Sequence, residues 1–430
     1  MRHPTGSSRR LRPWLALIVI MLVGLVSCGE PVPVQERPDD GPLTILSGRD
    51  QSGGQRAALV AQWNLQNPNP NRKARIVELP PNADAQRAEM LARAQSGAGN
   101  GVDVYNLDVT WTAEFAEAGY LRQLDEAALT RDQFLAGFLK GPLRTCRYPR
   151  TEGPDGSDTG PLWALPFNAD VGLLYYNKQL LGSAPEPTTW DEVAELASKA
   201  KQDGATGYIG QYGDYEGLAV TAQELVWSAG GELIDDEGRV MPDAEDFESG
   251  LQRLQAISPS KDRPFDEAAS TRQFREGRTL FMRNWPIAYR DLYADKEKDP
   301  PAFEVIALPE NSGALGGQNL AVSASTSRYQ DAVDLIKFLT DDARQTTLYR
   351  DGGLPATRTA AYNDDKRLTE ILPGALENAH PRPTLPHYAT LSESFRTTVT
   401  GFLDSSGKLL PTAPVLRKRF ERASQGRTNG

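Results

Sequence analysis

PLWALPFNADVGLLYYNKQLL, residues Pro161 to Leu181, is the stretch whose reading decides the fold. Trp163 to Phe167 reads as a short strand and Val171 to Asn177 as another, with Asn168-Ala169-Asp170 interrupting them by two polar side chains. A chain that runs strand, polar kink, strand can cross from one domain into a second. Downstream, Pro187-Thr188-Thr189 precedes an amphipathic helix carrying Trp190, Val193, Leu196 and Ala197, and a threonine at that point is a strong local start signal.

Upstream the pattern is an α/β alternation. Leu43 to Leu46 is a short apolar strand, followed by the polar loop SGRDQSGG and by helical spacing over Gln55 to Gln66, with Ala58, Leu59, Gln62 and Trp63 on one side. Ala74 to Pro80 reads as the next strand and Ala83 to Gln95 as the next helix; Val102 to Asp108 is a third strand, leading into a helix near Trp111 to Ala118. In open α/β sheets the ligand lies beyond the carboxyl ends of the strands. The loops at Ser47 to Gly54 and Asp108 to Trp111 are therefore expected to face one crevice, bringing Asp50, Asp108 and Trp111 near one another.

The amino-terminal end points outside the cytoplasm. Arg2, Arg9, Arg10 and Arg12 precede an apolar run from Trp14 to Val26, which is short for a membrane span and ends in LVSC at Cys28. This order reads as a signal peptide (residues 1–27) with a bacterial lipobox, so that Cys28 carries a lipid. Residues 28–42, GEPVPVQERPDDGP after the cysteine, form a tether too rich in proline and charge to build a core. A net charge of −10 argues against a nucleic-acid binder. With three histidines in the chain, a histidine-rich metal site is not expected, and neither is a cofactor. Cys146 has no second cysteine besides Cys28, and reads as a buried small hydrophobe or a free thiol.

Several motifs in order then resemble one family: YNLDVTWTAEFAEAGYLRQLDE (Tyr105 to Glu126), WALPFNADVGLLYYNK (Trp163 to Lys178), TTWDEV (Thr188 to Val193), YEGLAVTAQELVWSAGG (Tyr215 to Gly231), FREGRTLFMRNWPIAY (Phe274 to Tyr289), ALGGQNLAVSASTS (Ala314 to Ser327) and GGLPATR (Gly352 to Arg358). The chain resembles the extracytoplasmic sugar-binding lipoproteins of ABC importers, specifically the maltose/trehalose type of family 1 solute-binding proteins. The resemblance implies a two-lobed periplasmic-binding-protein-like α/β fold with a hinge of crossing strands. Carried onto this chain, residues 43–167 plus 316–355 would form lobe 1 and residues 168–315 plus 356–430 lobe 2. The crossings would fall near Asn168 to Gly172, near Asn311 to Gly317, and after Leu354.

Sugar capture needs side chains that donate or accept in pairs to hydroxyls and an aromatic surface for the C–H face of a ring. By the resemblance, Asp108 matches an acidic residue after the third strand, Asp170 with Asn168 a polar hinge pair, and Trp285 the tryptophan on which a sugar ring stacks. Tyr215, Glu216, Gly317 and Gln318 are expected further contacts, and Trp111 is either a contact or a core residue. Asp50 lies on the right loop, where this chain departs from the family's commonest form, and Arg382 either reaches the sugar or is solvated. The implied partners are a sugar, an ABC permease with its ATPase subunits, and a membrane through the lipid on Cys28, with the protein a monomer and no nucleic acid bound.

Two other readings stay open on the residues alone. Paired carboxylates such as Asp108, Asp170 and Glu216 suit a surface glycoside hydrolase, although neither a tether nor this order of motifs is explained by one. A same-fold receptor for a polyamine or another non-sugar solute would suit an acidic pocket. Mass analysis of the mature amino terminus is expected to find Cys28 as the first residue, bearing lipid; an uncleaved leader or an unmodified cysteine would refute the anchor.

Overall fold

The computed structural model describes residues 41–97, 101–151, 158–235, 238–241, 243–259, 263–293, 300–362 and 367–427. The leader, Cys28 and the tether up to residue 40 lie outside the described residues. Among the described residues no helix is long and apolar enough to cross a membrane.

Among the described residues ten strands follow one another as Leu43–Ser47 (β1), Ala74–Glu78 (β2), Val104–Asp108 (β3), Ala164–Val171 (β4), Leu173–Asn177 (β5), Thr206–Ile209 (β6), Thr279–Asn284 (β7), Phe303–Ala307 (β8), Ala314–Val322 (β9) and His380–Pro381 (β10). The first sheet runs β10-β9-β3-β1-β2, with β4 also on β9. Strands β1, β2 and β3 are parallel, as the strand-loop-helix reading requires, and β9 lies antiparallel to both β3 and β4. The second sheet runs β6-β7-β5-β8. Each sheet has its own apolar core, one around Leu43, Trp63, Tyr105 and Phe115, the other around Trp190, Tyr208, Phe247 and Phe395. A third cluster, including Ala169, Val171, Leu173, Tyr175 and Leu315, lies where the chain passes between the sheets.

Helices Gln55–Gln66 and Ala83–Gln95 form where their apolar spacing places them. The helix Trp190–Gln202 starts from Thr189, whose hydroxyl accepts from the Glu192 amide while Glu192 reaches back to the Thr189 amide, a reciprocal cap. One expectation shifts. The buried stripe of the first helix is Arg56, Leu59, Val60 and Trp63, not Ala58, Leu59, Gln62 and Trp63. A guanidinium can join that stripe because Asn168 and Gln318 meet it inside, at 3.3 and 2.6 Å.

A second expectation is corrected in the crossing segment. Asn168-Ala169-Asp170 does not interrupt the strand: β4 continues to Val171, because β9 pairs with it from Ala164↔Ala321 to Val171↔Leu315. The register shifts between Pro166 and Asn168, at a proline that has no N–H for the ladder. The break comes at Gly172, between β4 in the first sheet and β5 in the second. A Cβ on Gly172 would stand 2.0 Å from Oε1 of Glu224.

That carboxylate belongs to an ion pair without solvent exposure. Arg283 donates to Glu224 through Nε at 2.7 Å and Nη2 at 2.6 Å, and Glu224 Oε1 also accepts the Ala314 amide at 3.0 Å, at the start of β9. Gly317, further along β9, has φ +117, and a Cβ there would lie 2.1 Å from the Asn168 carbonyl oxygen. Gly317→Ala is accordingly expected to lower stability by roughly 2–4 kcal/mol in urea unfolding; an unchanged midpoint would mean that the paired strands part easily.

Candidate ligand-binding cleft

The carboxyl ends of β1 and β3 meet the crossing strands at one floor. Gln318 of β9 sits at its centre, its Oε1 accepting from Arg56 Nη2 at 2.6 Å and from Asn106 Nδ2 at 2.8 Å. Asn106 also donates to Ser47 Oγ at 2.9 Å, and Arg56 Nη2 lies 3.3 Å from Asn168 Oδ1. Asn168 in turn donates to Asp170 Oδ2 at 3.1 Å. Burial pushes the Asp170 carboxyl up to about 7, with Asp108 adding to the rise and Arg56 opposing it. Burial likewise pulls the Arg56 guanidinium below its ordinary value, against the fields of Asp50, Asp170 and Glu78.

Beside this floor an arginine joins separate parts of the chain. Arg382 follows β10 and is 5 % exposed; it donates to Asp108 Oδ1 at 3.2 Å and to Glu216 Oε1 at 2.7 Å. Glu216 opens the helix Glu216–Ser228 and also accepts from Tyr388 at 2.6 Å and Ser392 at 2.6 Å, both on the helix Tyr388–Asp404. The carboxylates raise the Arg382 guanidinium further, outweighing its burial. Asp108, Trp111, Glu216, Tyr388 and Arg396 border a cleft of about 330 Å³. Arg396 pairs with Asp84, which also borders the cleft, at 3.1 Å and with Asp214 at 3.2 Å. A larger surface cavity of about 460 Å³, bordered by Arg272 and Arg278, involves none of these groups.

Trp285 follows β7 and is partly exposed. The Arg283 guanidinium lies 3.9 Å from its ring centroid, and its indole N–H donates to Glu267 Oε1 at 3.2 Å. Glu267 Oε2 accepts from Tyr215 at 2.8 Å, so one carboxylate orients both aromatic rings. A Cβ on Gly316 would meet the far edge of the Trp285 ring at 3.1 Å and Asp170 Cβ at 3.2 Å, which puts the indole beside the floor.

The candidates therefore sort by surroundings. Asn168, Asp170 and Gln318 share the floor; Asp108, Glu216 and Arg382 share one ion-pair chain; Trp285 and Tyr215 share Glu267. Arg382 is not solvated. Trp111 is 7 % exposed and packs in the first core while bordering the cleft. Gly317 serves the approach of β9 to β4. Asp50 turns onto its own loop, accepting from the amides of Ser52 at 2.8 Å and Gly54 at 3.1 Å and from the Ser52 hydroxyl. Cys146 is a free thiol at 0 % exposure, and burial pushes it up, away from thiolate chemistry.

Sequence reasoning missed Arg56, Asn106, Glu267 and Arg396. Arg56 had a legible signal, since it stands at i of an i, i+3, i+4, i+7 apolar stripe with Leu59, Val60 and Trp63. Asn106 had another, as a polar side chain on an otherwise apolar strand. Glu267 and Arg396 act through contacts with distant segments that no local pattern displays.

Carboxylates and guanidiniums border the cleft, and the amide and carboxylate floor with the Trp285 indole lies beside it; together such groups can bind a polar, neutral ligand through many hydrogen bonds and one flat contact. Such a cleft between two α/β halves defines a class of ligand-binding proteins. Residues 59–371 match the bacterial extracellular solute-binding protein family, and the chain belongs to it. It is 29 % identical over 378 residues, 81 % of this chain and 86 % of the other, to a probable ABC transporter-binding protein of Deinococcus radiodurans. Its fold is similar to that of maltose-bound MalE3 of T. maritima, with TM-score 0.76 and 27 % identity over 90 % of this chain and 100 % of that one. The GacH receptor of Streptomyces glaucescens, solved unliganded and with acarbose, shares the fold at TM-score 0.73 and 21 % identity, over 91 % of this chain and 100 % of that one. The chain thus has the two-lobed periplasmic-binding-protein fold and is a solute-binding protein, not an enzyme.

Asp170 supplies a pH test of the floor. A carboxyl whose folded value of about 7 lies above its unfolded value favours the protonated protein. The stability it contributes is complete below about 3.9 and is lost as pH rises toward the folded value. Asp170→Asn is expected to flatten this fall and to leave the empty protein more stable than wild type at pH 8, by on the order of 1–2 kcal/mol in urea unfolding. Parallel pH profiles for the two proteins would show that Asp170 is not held in a desolvated site.

Proposed function

We propose that this protein is the solute-binding component of an ABC importer and captures a sugar, a disaccharide or oligosaccharide of the maltose/trehalose class, outside the membrane for delivery to a permease and its ATPase. The observation that carries this reading is the indole of Trp285, backed by Arg283 at 3.9 Å and held by Glu267 at 3.2 Å beside the amide and carboxylate floor. A ring with an apolar C–H face and a polar hydroxyl rim matches that pairing. The maltose in the T. maritima relative and the acarbose in the GacH receptor support a saccharide ligand.

The proposed ligand contacts are Asp108, Trp111, Asn168, Asp170, Tyr215, Glu216, Trp285, Gln318 and Arg382. The proposed lobes are residues 43–167 plus 316–355 and residues 168–315 plus 356–430, parting at the strands that join them to admit ligand. A lipid on Cys28 would keep the monomer on the outer face of the membrane.

Thermal unfolding in the presence of maltose, trehalose, maltotriose and spermidine tests the ligand class. The cognate sugar is expected to stabilise the protein by about 2.7 kcal/mol at a hundredfold excess over Kd. Stabilisation by spermidine and by none of the sugars would overturn the reading. Trp285→Ala is expected to weaken binding of the stabilising sugar at least tenfold by calorimetry, with Trp285→Phe retaining part of the loss. Equal affinities in wild type and Trp285→Ala would remove the indole from the site.

A further inference from the structure

Three polar atoms of the network around Gln318, beside the cleft, are closed off from solvent and have no hydrogen-bond partner among the described residues: Nε of Arg56, Oδ1 of Asn106 and Oδ1 of Asp170. They belong to one network. Arg56 and Asn106 meet at the single oxygen Gln318 Oε1, at 2.6 and 2.8 Å, and Asn168 links Arg56 to Asp170 at 3.3 and 3.1 Å. Buried polar atoms are ordinarily matched, and three unmatched atoms in one network mark a place where something else binds.

Arg56 sets the polarity of this floor. A guanidinium only donates, so Gln318 must turn its carbonyl oxygen toward it. That oxygen then takes the Asn106 amide nitrogen, which also donates to Ser47 Oγ at 2.9 Å, and Asn106 is left presenting Oδ1. The floor thereby offers one fixed donor, Arg56 Nε, one fixed acceptor, Asn106 Oδ1, and a second acceptor, Asp170 Oδ1, whenever that carboxyl is ionised. A cation would satisfy the acceptors and oppose the guanidinium. An anion would satisfy the guanidinium and oppose both oxygens. A pair of hydroxyls satisfies all three, because each hydroxyl donates once and still accepts.

We propose that Arg56 is a specificity-determining contact, and that with Asn106 and Asp170 it forms a subsite for two hydroxyls of one sugar ring. Both hydroxyls must be free, so the subsite selects a ring unsubstituted at those positions. Arg56 Nε donates to one hydroxyl oxygen, and the two hydroxyl protons go to Asn106 Oδ1 and Asp170 Oδ1. This inference rests on the sugar reading above and adds which residues choose among sugars.

The test takes whichever of maltose, trehalose and maltotriose binds wild type most tightly, together with its singly deoxygenated analogues, and measures each by titration calorimetry. Wild type is expected to lose about tenfold or more in affinity at two positions of one ring. Arg56→Lys, which keeps the charge but not the fork, is expected to bind the parent sugar about tenfold more weakly and to discriminate less than threefold at those positions. Asn106→Leu is expected to lose discrimination at one of the two, and serves where melting shows that Arg56→Lys does not fold. Wild-type affinity in Arg56→Lys, or equal deoxygenation losses in variant and wild type, overturns the subsite while leaving the sugar reading intact. Failure of all three sugars to bind wild type overturns the sugar reading and the subsite with it.

Discussion

Arg283 and Glu224 face each other with no exposure to water, and the passage between the two sheets is built around them. Taking both charges out of water is expensive, and it is offset only where hydrogen bonds use nearly every polar atom. Here two bonds join the pair, Gln211 Oε1 takes Arg283 Nη1 at 3.2 Å, and the Ala314 amide completes Glu224. The consequences run outward in three directions. Gly172 has to lack a side chain where the chain leaves the first sheet, β9 has to begin at Ala314, and the guanidinium lies against the indole of Trp285. One ion pair thus fixes a crossing and an aromatic platform together.

The same two strands carry the crossing and the floor. Along β4, Asn168 and Asp170 point their amide and carboxyl into the network four and two residues before Gly172. Along β9, Gln318 stands four residues after Ala314. Antiparallel pairing holds these positions in register, with Asn168 opposite Gln318 and Asp170 opposite Gly316. Any relative movement of the sheets is therefore felt within about four residues of the Asn168, Asp170 and Gln318 side chains. Strand backbones are stiff at that length, so the polar floor and the passage between the sheets act as one mechanical unit.

Much of this was legible in the sequence. Apolar periodicity located the first helices to their ends, Gln55–Gln66 and Ala83–Gln95, and the threonine before Trp190 marked its helix. Polar residues within β4 misled, because polarity reads as a break unless the partner strand is known, and β9 lies about 150 residues away in the chain. The stripe of the first helix misled for a related reason: hydrophobicity alone discards an arginine whose partners come from β4 and β9. The ordered motifs pointed to Asp108, Asp170 and Trp285, yet the agents that orient them, Arg56, Glu267 and Arg382, owe their roles to contacts over long sequence separations.

Arg382, buried between Asp108 and Glu216, gives the cleft an internal competitor. Its guanidinium already satisfies the two carboxylates proposed as ligand contacts. An entering molecule must therefore exchange partners with the protein rather than fill bare acceptors, and only one that restores every displaced hydrogen bond gains from the exchange. Such a cleft trades tightness for discrimination. On the proposed role, the same arginine would reclaim both oxygens as a ligand leaves.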